Sequence, residues 1–449
     1  MIIRVLLAGI IVAANVLAAG PTASAAQAAP SPLPAKTVEA LRLRLDRAAE
    51  AVVPKVVAWR RDFHQNPELG NREVRTAGIV ARHLTSLGLE VRTNVARTGV
   101  IGVLRGGRPG PVVALRADMD ALPVTEETDL PFRSTIKAVF NGKETGVMHA
   151  CGHDMHTAVL MGAAEALASL RNNLPGTVVF IFQPAEEGAP GGEEGGAFLM
   201  IREGALDNPK VEAIFGLHQS LTEVGSLGFR AGGAMASSDA FSILVRGRQT
   251  HGAMPWAGVD SIVVAAQIVL ALQTIVSRQM DLTTAPAVIS IGQIEGGNRG
   301  NIIPESTRLS GTIRTLDPKM RLDIRTRIRR TAESIAASAG ATAEVAIFPG
   351  APVTYNDQAL AARMTGTFRR LAGPAFKTDP PPLTASEDFA FYQEKVPGLY
   401  FFVGAAPKGS DPAKVEPSHS PRFNPDEGML PVGVRAMAGA ALDYLAGVR

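Results

Sequence analysis

Val178-Val179-Phe180-Ile181-Phe182-Gln183-Pro184-Ala185-Glu186-Glu187-Gly188 is the stretch on which the fold turns. Five large apolar residues in succession, with no alternation, describe a strand buried on both faces, as in a parallel sheet sandwiched between helices. Similar runs occur at 100–104, 112–115 and 213–217, and helical patterns lie between some of them, notably 157–170. Strands that alternate with helices and stay apolar throughout predict an α/β domain whose largely parallel sheet carries helices on both faces. The paired carboxylates Glu186 and Glu187 then fall on a loop just beyond a buried strand, where open α/β sheets place their ligands.

Working outward, the pattern from 37 to 64 is helical with Pro54 expected to start a new helix, and 75–87 is a second helix stopped by Gly88. Between 239 and 348 the grammar changes to strand 241–245, helix 262–276, strands 288–294 and 308–314, helix 324–337 and strand 343–347. That β-α-β-β-α-β order is the ferredoxin-like unit, able to fold as a module of its own. Helix and strand alternation resumes with 359–371, 387–394, 399–403 and 431–445. The expected organisation is one main domain, 37–234 and 350–449, interrupted by a small inserted domain at 235–349.

A chain of 449 residues, 46% hydrophobic and 19% charged, can bury a large core. Its net charge of +3 is interleaved, with no block of like charges outside 325–330, which argues against a nucleic-acid partner. Met1 to Arg4 carry one positive charge, 5–19 is almost wholly apolar, and small residues follow through Ala23-Ser24-Ala25. This is the layout of a secretory signal peptide, here 1–26, followed by a flexible leader at 27–36. The apolar stretch is short for a membrane span and Asn15 interrupts it, so the expectation is a periplasmic or secreted protein with no stable membrane insertion after cleavage. Export permits disulfides, yet Cys151 is the single cysteine. A lone thiol there is either buried and inert or held as a thiolate by a metal.

The densest chemistry is His149-Ala150-Cys151-Gly152-His153-Asp154-Met155-His156, which holds three of the eight histidines. Side chains two apart in an extended segment point the same way, so Cys151 and His153 can reach one ion. Glu-Glu alone is more often a solvated loop. Beside this cluster, neighbouring acids that repel one another suit a cation, with one acid binding it and the other moving protons. His218 ends the apolar run 213–217, and His419 sits in Pro417-Ser418-His419-Ser420-Pro421. Either could be a structural histidine. With Cys151, His153 and Glu187 they make five ligands, too many for one tetrahedral ion and suited to two ions sharing a bridge. Neither a Gly-X-Ser-X-Gly elbow nor a His-Glu-X-X-His pair is present, which removes the serine-hydrolase and zincin readings. A non-catalytic metal- or solute-binding protein is the remaining alternative, and retention of Glu186 beside the five candidate ligands speaks against it.

From Trp59-Arg60-Arg61-Asp62-Phe63-His64-Gln65-Asn66-Pro67-Glu68-Leu69 through 148–153 and 183–187 to His419, the chain resembles the amidohydrolase branch of the acylase and carboxypeptidase G class of di-metal hydrolases. Hippurate hydrolases and plant auxin-conjugate hydrolases belong to that branch. The resemblance implies hydrolysis of the amide bond of a small N-acyl amino acid, with two divalent ions, Mn²⁺ or Zn²⁺, held by Cys151, His153, Glu187, His218 and His419. It makes Glu186 the general base, His251 a residue that contacts the reacting carbonyl, Asn301 and Arg314 substrate-holding residues, and Asp120 an acid that orients a ligand. The inserted unit corresponds to a lid and dimerisation domain, so a homodimer is expected. Trp256 stands where many relatives have a second histidine, which puts the acyl preference in doubt, and the loop 136–145 is longer than in many members. Asp118-Met119-Asp120 replaces the His-X-Asp of the peptidase branches.

Overall fold

The structure is a computed structural model that describes residues 32–411 and 414–448. The signal peptide expected at 1–26, and residues 27–31 of the leader, lie outside the described residues. The first helix begins at Ala35, two residues inside the stretch read as leader.

An eight-stranded sheet runs in the order Glu90–Val95, Gly99–Arg105, Pro175–Gln183, Arg108–Asp118, Ala213–Glu223, Gly398–Ala406, Leu227–Phe229, Phe376–Thr378. Its four middle strands, from Pro175–Gln183 to Gly398–Ala406, are mutually parallel, while Gly99–Arg105 and Leu227–Phe229 join them antiparallel. The sheet is therefore mixed around a parallel centre. Alternation explains the apolar run that announced it. Val178, Phe180 and Phe182 pack into the core beneath the long helices, and Val179 and Ile181 into the core on the opposite face.

The first face is covered by Ala35–Gln65, His153–Ala168 and Met429–Leu445, which pack on one another, the last two also directly on the sheet. His153–Ala168 lies in the middle and is buried nearly all round. Its Gly162 is what lets the neighbours close in: a Cβ there would sit 2.6 Å from Val56 Cγ2 and 3.0 Å from Val434 Cγ2. Pro54 does not start a new helix, because Ala35–Gln65 is continuous through it. The residue is exposed, so water can reach the carbonyl whose partner N–H it lacks, while Val52 and Val56 hold the helix on the core. On the second face the cover is shorter, Gly196–Arg202 and Ala390–Gln393, the latter only part of the helix expected over 387–394.

Residues 239–349 form a second sheet, ordered Ala287–Gly296, Ser306–Thr315, Asp239–Arg246, Thr342–Pro349, with every neighbour antiparallel. Helices Ser261–Thr274 and Pro318–Ser338 pack on it around a separate core that includes Phe241, Ile243, Ile268, Leu309 and Ile324. This is the ferredoxin-like strand order. The two connecting segments cross at Ser238 and Gly350, where a Cβ on Gly350 would lie 1.9 Å from the Ser238 carbonyl oxygen, so only glycine fits. Asp239, buried beside that crossing, accepts from Arg321 and Arg325 and from the Gly350 N–H. The loop expected at 136–145 is a β-hairpin, Lys137–Phe140 paired with Lys143–Gly146.

Candidate active site

The carboxyl ends of the parallel strands deliver the site. Arg108–Asp118 ends at Asp118, Pro175–Gln183 leads into Glu186 and Glu187, and Ala213–Glu223 carries His218. Cys151 and His153 arrive differently from the extended segment expected. Gly152 adopts φ +93° and His153 opens the helix, so a left-handed turn, not a strand, aims both side chains at one centre. His419 comes from a distant loop tied down by its own N–H, which donates to the Ala150 carbonyl at 2.7 Å. Its φ of +71° is strained for a residue with a Cβ, as is the +51° of Ala185 beside the glutamates.

The structure brings together Cys151, His153, Glu187, His218 and His419. Cys151, His153 and His218 form one group and Cys151, Glu187 and His419 another, each with donor atoms within 4.8 Å of one another. Cys151 Sγ is common to both. Two observations fit these donors to cations. His153 Nε2 is buried with no hydrogen-bond partner, its Nδ1 being taken by the Asp120 carbonyl at 2.9 Å and by Asp120 Oδ1 at 3.2 Å. Glu187 Oε1 pairs with His419 Nε2 at 2.9 Å, and both converge with Cys151 Sγ, so three donors of one group meet at one place. A further grouping, Asp118 with His153 and His156, is not open in the same way. His156 Nδ1 is 2.7 Å from Asp118 Oδ1, and its Nε2 accepts from the Gln219 N–H at 3.0 Å. His149 is buried and unbonded at both nitrogens, and burial pushes its pKa down to about 3, so it stays neutral.

The electrostatics describe anions in need of positive charge. Burial would push the Cys151 thiol up, but the field of His218 and the nearness of His153, His218 and His419 bring it down to about 6. Burial likewise opposes a charged His218, yet the Cys151 thiolate and Asp118 raise it to about 9. His419 is raised to about 10 by its bonds to Cys151 and Glu187. The histidines thus serve as the counter-charge that bound cations would supply.

Glu186 adjoins the donors, grouped within 4.8 Å with His153 and Glu187 on one side and with Glu387 and Asp388 on the other. Its Oε1 faces the Asp388 N–H at 3.4 Å and its Oε2 lies 3.9 Å from His153 Nε2. Burial first, then Glu387, Glu187 and Asp388, hold its pKa well above the usual carboxylate range. Glu387 and Asp388 are functional neighbours that the sequence reading missed by assigning them to a helix, although an acidic pair like Glu186-Glu187 was visible there. Buried Arg116 gathers them, with its Nη2 at 3.0 Å from Glu387 Oε1 and 2.7 Å from Asp388 Oδ1, while Nη1 meets Asp118 Oδ2 at 2.6 Å.

The residues expected from the inserted unit lie elsewhere. His251 and Asn301 are neighbours, the Gly252 N–H donating to the Asn301 carbonyl, and both are exposed. Arg314 sits on Ser306–Thr315 opposite Val288. None of the three lines the cavity of about 1110 Å³ that opens from Cys151, Glu186, Glu187, His218 and His419. Trp256, on the turn Pro255–Ala257 near His251, is 78% exposed.

Residues 114–443 match the model of peptidase family M20/M25/M40. The chain is 38% identical to N-acetylcysteine deacetylase of Bacillus subtilis, covering 89% of this chain and 99% of that protein. It is 38% identical to an IAA-amino acid hydrolase of Arabidopsis thaliana, covering 87% and 86%, and 39% identical to thermostable carboxypeptidase 2 of Saccharolobus solfataricus, covering 87% and 95%. Among solved structures, YXEP of Bacillus subtilis, described as a dinuclear metal binding peptidase of the M20 family, superposes with a TM-score of 0.74 at 36% identity over 88% of this chain and 99% of that one. With matches of this extent, and a donor set suited to two divalent ions, the chain belongs to peptidase family M20/M25/M40 and is a metal-dependent amidohydrolase.

Proposed function

We propose that this enzyme cleaves small N-acyl amino acids to a carboxylic acid and a free amino acid, with Glu186 as the general base. The observation that carries the reading is the pair of donor triads sharing Cys151, with the half-buried Glu186 close beside His153 and Glu187. Cys151, His153, Glu187, His218 and His419 would hold two divalent ions, Mn²⁺ or Zn²⁺, which supply charge that acidifies water and polarises a carbonyl. Thiolate and imidazole donors suit Zn²⁺, so the choice between the two rests on assay. Glu186 takes a proton from the attacking water and hands it to the departing amine.

His251, exposed and off the cavity of its own chain, supports a role across a twofold dimer, where it would reach the developing oxyanion of the partner's site. Arg314 and Asn301 would hold the substrate carboxylate, a guanidinium matching it bidentately. The apolar residues Ile262, Val263 and Leu270, exposed on Ser261–Thr274, and the open edge strand Ala287–Gly296 are the surface we assign to that dimer. A light-scattering mass of one chain at micromolar concentration would remove it. Export through residues 1–26, to the periplasm or outside the cell, belongs to the same proposal and is checked by the N-terminus of the mature protein.

The deciding experiment is hydrolysis of N-acetyl, N-benzoyl and longer N-acyl amino acids, together with dipeptides, after chelation and readdition of Mn²⁺, Zn²⁺ or Co²⁺. A dipeptide is itself an N-acylated amino acid, so the panel also measures how far carboxypeptidase activity enters. Activity that survives complete removal of metal, verified by elemental analysis, would overturn the reading.

A further inference from the structure

Gln219 follows His218 on the strand Ala213–Glu223 and is buried, and three segments of the candidate metal centre meet on it. Its N–H donates to His156 Nε2 at 3.0 Å, and its carbonyl accepts from His218 Nδ1 at 2.7 Å. That second bond keeps the His218 proton on Nδ1 and leaves Nε2 toward Cys151 Sγ, 3.4 Å away. The side-chain amide reaches the other way. Its Nε2 donates to the Ser418 hydroxyl at 2.8 Å and to the Cys151 carbonyl at 3.4 Å, and its Cγ lies against Gly152, where a Cβ would come within 2.8 Å of it. One residue therefore touches the strand that supplies His218, the turn that supplies Cys151 and the loop that supplies His419.

The loop depends most on this contact. His419 has a side chain 54% exposed and a φ of +71°, a conformation that persists only where its surroundings over-determine it. Within one residue of it, two hydrogen bonds among the described residues fasten the loop to the body of the domain: its own N–H to the Ala150 carbonyl, and Ser418 to Gln219. The amide is not a stabilising choice in its own right. Gln219 Oε1 is buried and meets no donor among the described residues, a cost that an apolar side chain of the same length would not incur.

Resting on the assignment of the five metal donors, we infer that Gln219 is a positioning residue whose side chain clamps the Ser418–His419 loop to the turn of Cys151. The triad Cys151, Glu187 and His419 then depends on that side chain, and the triad Cys151, His153 and His218 does not. The asymmetry follows because the contact that orients His218 is made by the Gln219 backbone, which a replacement retains.

The test titrates the metal-free full chain with Co²⁺, reading the thiolate-to-cobalt absorption and, by competition with a chelator, the affinity of each equivalent. His419→Ala identifies the equivalent that belongs to its triad. Gln219→Met keeps the length and the packing against Gly152 but cannot donate. It should bind one equivalent as the parent does, with its thiolate absorption retained, and the equivalent identified by His419→Ala about 10- to 100-fold more weakly. Ser418→Ala should weaken that same equivalent, and the double variant should be no weaker than Gln219→Met, because both changes break one bond. Metal-free Gln219→Met should melt no lower than the parent; a much lower melting temperature would make the role structural and reject the inference. Two unchanged equivalents in Gln219→Met, while His419→Ala loses one, would overturn the clamp and leave the donor assignment standing. Equal weakening of both equivalents, or losses from Gln219→Met and Ser418→Ala that simply add, would also reject it. Should His419→Ala bind both equivalents as tightly as the parent, the donor assignment fails and the inference with it.

Discussion

Asp120 and His153 are joined twice, through the Asp120 carbonyl at 2.9 Å and its Oδ1 at 3.2 Å from His153 Nδ1, and the other carboxylate oxygen of Asp120 accepts the Glu187 N–H at 2.9 Å. One side chain thus sets the tautomer of one proposed ligand and the backbone of another, leaving His153 Nε2 free to face the centre. Asp120→Asn replaces one of these acceptor oxygens by a donor, so one of the two contacts must break. The expected outcome is metal affinity weakened by roughly 10- to 100-fold in a folded protein, measured by competition with a chelator. Unchanged affinity would show that backbone contacts alone position His153.

Glu186 and Glu187 are adjacent in sequence and opposite in environment. Burial opposes the charge on Glu187, but its bond to His419 and the field of His153 lower its pKa, whereas burial and three neighbouring acids raise that of Glu186. Glu186→Gln should retain both ions and lose roughly 10²- to 10⁴-fold in kcat. Glu187→Gln should lose metal first and activity as a consequence. Elemental analysis of the two variants beside their kinetics separates the roles, and a reversed pattern would exchange them.

The packing of the three long helices yields a prediction about stability alone. Gly162→Ala places a methyl 2.6 Å from Val56 Cγ2 and 3.0 Å from Val434 Cγ2, so the helices on either side must move apart. Overpacking of this kind should cost about 1–3 kcal/mol in chemical denaturation. Gly366, on the exposed side of Gln358–Ala372, has nothing within 4 Å of its Cβ position. Gly366→Ala should therefore stabilise, by about 0.5–1 kcal/mol. Equal effects at the two sites would mean that helix propensity, not packing, controls both.

What could be read in advance follows from which forces leave a local trace. The strand around Phe180 was legible because burial on both faces demands an unbroken apolar run, and the ferredoxin-like unit because its helix and strand periods alternate in order. The hairpin Lys137–Phe140 with Lys143–Gly146 carries Lys137, Lys143 and Glu144 outward and leaves Val139 70% exposed, so hydrophobic pattern could not reveal it. Asn141-Gly142, with φ of +50° and +79°, was the available signal, a pair suited to a tight hairpin turn. Around the site, Cys151, His153 and His218 could be picked out because Cys and His are rare and were clustered or placed at a strand end, Glu187 because it follows a buried strand, and His419 chiefly through the family resemblance. Arg116 could not, since its meaning lies in Glu387 and Asp388, more than 250 positions away, and nothing at 116 distinguishes a buried hub from a surface cation.

Cys151 offers the sharpest test of the metal centre, because one atom is asked to belong to both donor triads. Its thiol is only slightly exposed but opens on the cavity, and its pKa of about 6 lies below that of an ordinary cysteine. In metal-stripped protein the thiolate therefore predominates above about pH 6, and alkylation should rise with pH through that value instead of near the usual 8.5. A thiolate shared between cations gives up its lone pairs and becomes a poor nucleophile, so metal-loaded enzyme should resist the same reagent. Labelling the stripped form should block recovery of activity when metal is returned. Cys151→Ser keeps nearly the same shape but its hydroxyl stays protonated, so metal binding should weaken while the thermal melting of the metal-free protein stays close to the parent's. Equal labelling rates with and without metal in folded protein would take Cys151 out of the ligand set. The two triads would then lose their shared atom, leaving Glu187 with His419 and His153 with His218 as separate, incomplete sites.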